Sequence, residues 1–218
     1  MATTRPAAIL FDLDGVIVDS EPLHHRAFEQ ALERTIPFDL YAEVFTARGD
    51  GLEYAQRTWG ADRAALFARK QEFYRVLLHG EARLRPGAAT AIAALAEVWP
   101  LGLATNSPRG EAEWVLDRFG LAEHFRAVVG REDYARGKPA PDPFLRVAAL
   151  LGAPTCDCLV VEDAAKGVRS AIAAGTTCVV VPNDYTRGSD FSLAHAVLAS
   201  FDELTPETVR RVVAARIS

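Results

Sequence analysis

Residues 7–11 (Ala7, Ala8, Ile9, Leu10, Phe11) form an uncharged apolar run that stops abruptly at Asp12, Leu13, Asp14 and Gly15. A run of this kind, ending in acids and a glycine, predicts a buried parallel strand that closes in a tight loop. Four more short apolar runs follow, at 101–104, 127–129, 158–161 and 178–181. Stretches of helical period lie around them, at 87–98, 108–119, 141–151, 164–174 and 206–216, while 182–198 is mixed. Strands alternating with helices specify an α/β fold, a Rossmann-like parallel sheet with helices on both faces.

One interval breaks the alternation. About 90 residues separate the first two strands, where a βαβ crossover needs about 30 in all. The surplus has helical period and no good strand. Residues 16–85 therefore read as an inserted all-helical cap domain, leaving 1–15 and 86–218 as the catalytic core, with Arg85, Pro86 and Gly87 as the exit hinge. A helix at 22–34 is opened by Asp19, Ser20 and the early Pro22. Its 100° wheel sets His24 on the apolar face, between Ala31 and Phe28. A second helix, 62–79, is expected to stop at Gly80. Its apolar arc is Leu66, Phe67, Phe73, Tyr74, Leu77 and Leu78, with Lys70 in the middle. Such a lysine either snorkels out of the core or reaches over a cleft toward an anion. Arg48, Gly49, Asp50 and Gly51 read as a turn, with Arg48 either solvated or aimed at a ligand.

Composition narrows the class. Half of the residues are hydrophobic, enough for a real core in one domain or one domain with an insertion. A net charge of −5, with both signs mixed along the chain, argues against a nucleic-acid surface or a basic membrane arm. No apolar run approaches a membrane span, and Met1 to Pro6 carry no apolar leader core. Cys156, Cys158 and Cys178 cannot all pair, and no Cys/His set has ligand spacing, so core thiols in a reducing cytoplasm are expected. Lys70, Lys138 and Lys166 are the only lysines in an arginine-rich chain. A lysine that persists in such a chain points to a position needing a compact ammonium, which a planar guanidinium does not match.

The residues that directly follow each strand form a chemical set. The first strand delivers Asp12 and Asp14, which alternation points the same way. Two such carboxylates at a buried tip repel each other unless a cation or a shared proton intervenes. The second delivers Thr105, Asn106, Ser107 and Pro108, hydrogen-bond donors at the start of a helix that favours an anion. The third delivers Gly137, Lys138 and Pro139. The fourth delivers Glu162 and Asp163. Ligands of parallel sheets sit at these carboxyl ends. Carboxylates from two strand tips are hard oxygen ligands suited to Mg²⁺. Hydroxyl, amide and lysine make a phosphate cradle. A carboxylate can attack phosphorus, and its neighbour can carry the proton.

The ordered set Asp12, Asp14, Thr105, Asn106, Lys138, Glu162 and Asp163 resembles the four motifs of the haloacid dehalogenase superfamily, over nearly the whole chain. The resemblance implies Asp12 as nucleophile and Asp14 as general acid/base. It implies Mg²⁺ held by Asp12, the main-chain carbonyl of Asp14 and Asp163, with Glu162 a ligand through water or an orienting neighbour. Thr105, Asn106 and Lys138 would bind the phosphoryl group. It also implies a cis peptide at Lys138-Pro139. Asp14 counts against the dehalogenase branch, and Ala164 departs from the serine of many relatives. Within the superfamily the chain looks like the branch of β-phosphoglucomutase and sugar-phosphate phosphatases, in which His24, Arg48 and Lys70 would be substrate residues of the cap. Ala47 and Gly49, flanking Arg48, depart from the mutase loop. Tyr185, Thr186, Asp190 and Phe191 resemble phosphatases acting on sugar bisphosphates. The implied function is a Mg²⁺-dependent phosphatase of a small phosphorylated metabolite, a sugar phosphate, in the cytoplasm, as a monomer or weak dimer. A β-phosphoglucomutase-like phosphotransferase is the alternative, and an idle sugar-phosphate sensor fits least, because every motif acid is present.

Overall fold

The computed structural model describes residues 6–217; residues 1–5 and 218, and with them most of the Met1 to Pro6 segment read above, lie outside it. The strand that the sequence places first is β1 (Ala8–Phe11), and every one of its residues is buried. It sits inside a six-stranded sheet of order β3-β2-β1-β4-β5-β6, with each neighbouring pair parallel. The other strands are β2 (Leu101–Ala104), β3 (Phe125–Val129), β4 (Cys158–Glu162), β5 (Thr177–Val180) and β6 (Ala196–Val197). The last lies in the segment read as mixed. Two residues at a half-exposed edge are too few to show a period of two.

Alternation along β1 divides the core. Ile9 and Phe11 face one layer with Leu101, Leu103, Leu159 and Val161. Ala8 and Leu10 face the other with Val160, Cys178 and Val180. Helices α5 (Ala88–Ala96), α6 (Arg109–Arg118) and α9 (Pro206–Ile217) cover the first face, and α7 (Asp142–Leu151) and α8 (Ala165–Ala173) the second. Full burial of each large apolar side chain contributes roughly 1.5–3 kcal/mol, so this doubly covered strand is a firm base for the acids at its tip. Cys158 and Cys178 are free thiols in that core, and burial pushes the Cys158 thiol up to about 12, which leaves it inert. No described helix is long and apolar enough to cross a membrane.

Between β1 and β2 the chain is helical: α1 (Glu21–Leu32), α2 (Phe38–Leu40), a wide π-helical stretch Tyr41–Ala47, α3 (Gly51–Trp59) and α4 (Arg63–Glu81). The short elements between α1 and α4 gave no legible period, and around 48–51 only the turn was foreseen. That turn exists, with Gly49 at φ +75°, but Gly51 already opens α3. Gly80 does not stop α4 either. It is exposed with no atom near its Cβ position, so the helix continues one residue past it. The insert has small clusters of its own, around Tyr41 and Phe45 and around Ala31, Ala55 and Leu66. The lower ends of α1 and α4 (Leu23, Ala27, Leu77, Leu78) join the main core instead. The connecting segments pair with each other: Asp19 N donates to Arg83 O at 2.9 Å and Arg85 N to Ile17 O at 2.9 Å.

Candidate active site

The ends of β1, β2 and β4 and the loop before α7 meet beneath α1 and α4 around a cavity of about 230 Å³. Asp12 stands at the tip of β1, where its N–H still donates to Val161 O at 3.1 Å. Lys138 lies against it. The buried Nζ donates to Asp12 Oδ1 at 2.6 Å and to Glu162 Oε1 at 2.7 Å, and sits 4.6 Å from the centre of the Phe144 ring. The Lys138-Pro139 peptide is cis. Glu162 Oε2 accepts from the N–H groups of Asp163 and Ala164 at 3.0 and 3.3 Å. A Cβ at Gly167 would run into the Glu162 carboxylate, so a glycine in α8 makes room for it. Glu162 is thereby enclosed, while Asp12 and Asp163 line the cavity.

Asp12, Glu162 and Asp163 each offer an oxygen within 4.8 Å of the others, and all three are buried. Lys138 alone does not balance three carboxylates in a dry site. Burial pushes the Asp12 carboxyl up to about 7 against the pull of Lys138, and burial with the charge of Glu162 raises Asp163 well above the ordinary carboxylate range. Burial also works against the Lys138 ammonium, but Asp12 and then Glu162 more than offset it and raise its pKa. A divalent cation would restore neutrality, and an all-oxygen donor set suits a hard one. The buried acidic cluster is thus compatible with a metal ion. Gly15 lets the loop close over it. Its φ is +74°, and a Cβ there would collide with the Asp163 carboxylate.

Asp14 faces the same cavity in a different environment. Its Oδ1 accepts from the Tyr74 hydroxyl at 2.8 Å and lies 3.5 Å from His24 Nε2. Its Oδ2 accepts from the hydroxyls of Ser107 at 2.5 Å and Thr105 at 3.3 Å. Burial would raise this carboxyl, but the bonds from His24, Ser107 and Tyr74 outweigh it and hold Asp14 well below the usual carboxylate range. His24 stacks on Tyr74, with ring centres 3.8 Å apart, and its Nδ1 lies 2.7 Å from Lys70 Nζ. An ammonium only donates, so Nδ1 accepts and the Nε2–H is left to face Asp14. Burial and then the charge of Lys70 lower the His24 pKa. The shift favours the neutral ring, whose Nε2–H faces Asp14 Oδ1 from 3.5 Å. Lys70 does not snorkel. It is 6% exposed, donates also to Gln71 Oε1 at 3.0 Å, and burial pushes its pKa down to about 8.

Thr105 and Asn106 line the cavity as well. Asn106 Oδ1 accepts from Lys138 N at 3.0 Å, and Asn106 Nδ2 donates to Lys138 O at 3.4 Å, so this amide also fixes the lysine loop. Arg48 is placed apart. It is exposed and paired with Glu43, and it does not line the cavity. All three lysines do, Lys166 from an exposed position on α8. Sequence reasoning missed Tyr74, which looked like one more core aromatic on α4. It also missed Ser107 as a partner of Asp14, and Tyr41 and Thr46 on the wall under the insert. Ser107 directly follows Thr105 and Asn106, so its place was readable; the wall residues belong to elements with no legible period.

Residues 6–175 match the haloacid dehalogenase-like hydrolase family, and the chain belongs to that family. It is 35% identical over 218 residues to a phosphoglycolate phosphatase of Cereibacter sphaeroides, a likeness covering 94% of this chain and 99% of the relative. It is 32% identical over 187 residues to the fructose-1-phosphate phosphatase YqaB of Escherichia coli, over 81% of this chain and 97% of that one. Among solved structures it is similar to CbbY from Rhodobacter sphaeroides, crystallised as a mutant in complex with xylulose-(1,5)bisphosphate. The TM-score is 0.78 at 30% identity, over 91% of this chain and 96% of that one.

Proposed function

We propose that the chain is a Mg²⁺-dependent phosphatase of a small phosphorylated metabolite, a sugar phosphate, acting through an aspartyl phosphate. One observation carries this reading: Lys138 Nζ bridges Asp12 and Glu162 beside Asp163 on the floor of the cavity. An Asp12 oxygen attacks phosphorus as the bond to the leaving oxygen breaks. That oxygen takes a proton from Asp14, which is ionised in the free enzyme and takes one up from solvent as the anionic phosphoryl group arrives beside it. Water then attacks the phosphorus, the Asp12–phosphorus bond breaks, and Asp14 receives the proton. Lys138 offsets the charge of an anion attacking an anion, while Thr105 and Asn106 bind the phosphoryl oxygens. Asp12, Asp163 and the Asp14 carbonyl would hold Mg²⁺, with Glu162 orienting them, and the bound cation supplies further charge neutralisation.

Residues 16–85 act as a cap that excludes water, hinged at the paired segments near 15–19 and 83–87. Glu21, Thr46 and the Tyr41 hydroxyl on the cap wall suit the hydroxyls of a sugar. Two of the three Lys70 donors are used by His24 and Gln71, which leaves one for the substrate. The enzyme works in the cytoplasm as a monomer or weak dimer. The test is phosphate release from a panel of esters in Mg²⁺ and in EDTA, headed by phosphoglycolate, fructose 1-phosphate and xylulose 1,5-bisphosphate. Mg²⁺-dependent release is expected, and an inert panel would end the proposal. β-Glucose 1-phosphate with catalytic glucose 1,6-bisphosphate separates the mutase alternative: glucose 6-phosphate marks a mutase, free phosphate a hydrolase.

Lys70 gives a pH signature. Its pKa of about 8 means that the cation which meets the substrate is lost as pH rises through that value. The expected result is a fall in kcat/KM above about pH 8, because this ratio reports the free enzyme. Lys70→Met should abolish that limb and raise KM roughly ten- to a hundredfold, the worth of one hydrogen bond to a charged group. An unchanged alkaline limb in Lys70→Met would remove Lys70 from the substrate.

A further inference from the structure

Beyond β5 the chain leaves the sheet next to the acid cluster, with Val181 N still donating to Glu162 O at 2.8 Å. There Asn183 closes a turn with its own side chain. Its Oδ1 accepts from the N–H groups of Tyr185 and Thr186 at 2.9 and 3.1 Å, and Thr186 Oγ1 accepts from Asn183 N at 3.0 Å. That leaves the amide Nδ2, which donates to Asp163 Oδ2 at 2.7 Å and to Gly15 O at 3.5 Å. The donors around Oδ1 and the acceptors around Nδ2 fix the amide in this orientation. Asn183 is buried and fully committed. One Asp163 oxygen is held by it, which leaves the other as the donor the cluster needs.

The same turn touches the helical insert. The Tyr185 ring packs against Phe38 at 4.8 Å, Tyr41 at 5.7 Å and His25 at 5.9 Å between centres. Its hydroxyl lies 3.5 Å from His25 Nδ1, whose ring is oriented by the bond of Nε2 to Ile36 O at 2.8 Å. On the other side Arg85, in the outgoing hinge, donates to Gly15 O at 2.6 Å, Val181 O at 3.1 Å and Pro182 O at 2.9 Å. The turn is therefore clamped between the hinge, the insert and the acid cluster.

We propose that Asn183 is a positioning residue for the metal-binding carboxylate of Asp163, and that Tyr185 makes its hold depend on the helical insert lying closed. Partners that orient a metal ligand set its affinity, and their loss costs about 10- to 100-fold. With the insert swung away, Tyr185 loses its ring partners and the turn loses one of its three supports. The divalent cation is then held most tightly when the site is covered. This rests on Mg²⁺ binding at the acid cluster, so binding itself is the readout.

Mg²⁺ is titrated into the full chain by isothermal calorimetry without substrate, and melting is followed in EDTA. Asn183→Ala is expected to raise the Kd about tenfold or more. Thr186→Val, which removes the acceptor of Asn183 N but leaves the bonds of the Asn183 amide in place, is expected to raise it by less than either Asn183→Ala or Tyr185→Ala does. Tyr185→Ala is expected to raise the Kd about fivefold, and Tyr185→Phe, which keeps the ring in place, to restore it. A wild-type chain that takes up no Mg²⁺ overturns the metal reading, and this one with it. Wild-type uptake with an unchanged Kd in Asn183→Ala overturns the positioning role alone. An unchanged Kd in Tyr185→Ala overturns the link to the insert. Equal losses of affinity and of melting temperature in Asn183→Ala and Thr186→Val would reduce the turn to a structural element and overturn the proposal.

Discussion

Asp12→Asn is expected to lower kcat by about 10⁴-fold or more, on the scale of removing a nucleophile, while the folded chain becomes more stable in EDTA. The amide keeps the shape of the carboxylate but cannot form the acyl phosphate. The gain in stability follows from the crowding of Asp12, Glu162 and Asp163. Burial holds the Asp12 carboxyl at about 7 in the fold, above its ordinary 3.8. A raised acid pKa means that the folded state prefers the protonated form, so the wild type loses stability as pH rises between those two values. Asparagine has no such loss. The difference should vanish below about pH 4 and be complete above about pH 7. Its size is at most on the order of 4 kcal/mol, about 1.4 kcal/mol for each unit between 3.8 and about 7, a rise that already includes the opposing pull of Lys138. Urea unfolding at pH 4 and pH 8 reads the stability, and phosphate release reads the activity. Residual turnover near wild type would end the nucleophile assignment, and a pH-independent difference in stability would end the electrostatic account.

Much of this site was legible because parallel sheets make it so. Each strand end is a change from apolar to polar, and the residue after each change is delivered to one edge. Asp12, Thr105 and Glu162 were each read from such a change, and all three stand at that edge. Lys138 follows its strand by a longer loop, and the bond from its N–H to Asn106 Oδ1 is what returns it to the edge. His24 and Lys70 came from wheels of long helices, where period is strong. The turn at Asn183 was not legible, because its pattern is made by side-chain to main-chain bonds and not by apolar spacing. Tyr74 failed for another reason. A wheel gives the face of a residue but not what its hydroxyl meets, and Tyr74 is both a core aromatic and a donor to Asp14. Arg48 shows the reverse: its glycine turn was correctly read, yet Glu43, five residues earlier, is its ion-pair partner outside the cavity.

Lys138→Met should cost both activity and stability, and the stability loss identifies what the ammonium does. Nζ is buried between Asp12 and Glu162 at 2.6 and 2.7 Å. Removing it leaves buried carboxylates with no counter-charge, which typically costs about 3–5 kcal/mol. The raised pKa of Lys138 means that its contribution is present throughout the pH range below the ordinary lysine value, so the wild type gains from it at neutral pH. The deficit of Lys138→Met in EDTA should be greatest above about pH 7, where Asp12 is ionised, and should shrink below it as Asp12 takes up a proton. Mg²⁺ should narrow the deficit at pH 8, since mass action stabilises both folded chains but does more for the one whose carboxylates have no other counter-charge and bind the cation more tightly. Turnover should remain about 10³-fold down even with Mg²⁺, because the lysine also offsets charge on the transferring phosphoryl group. Lys138→Arg should fail to restore it. A planar fork cannot place one nitrogen at both carboxylates while lying 4.6 Å from the centre of the Phe144 ring, as the compact ammonium does. A Lys138→Met chain as stable as wild type in EDTA at pH 8 would mean that the acid cluster is neutralised by its own protons, and that the arginine-rich chain kept this lysine for some other reason.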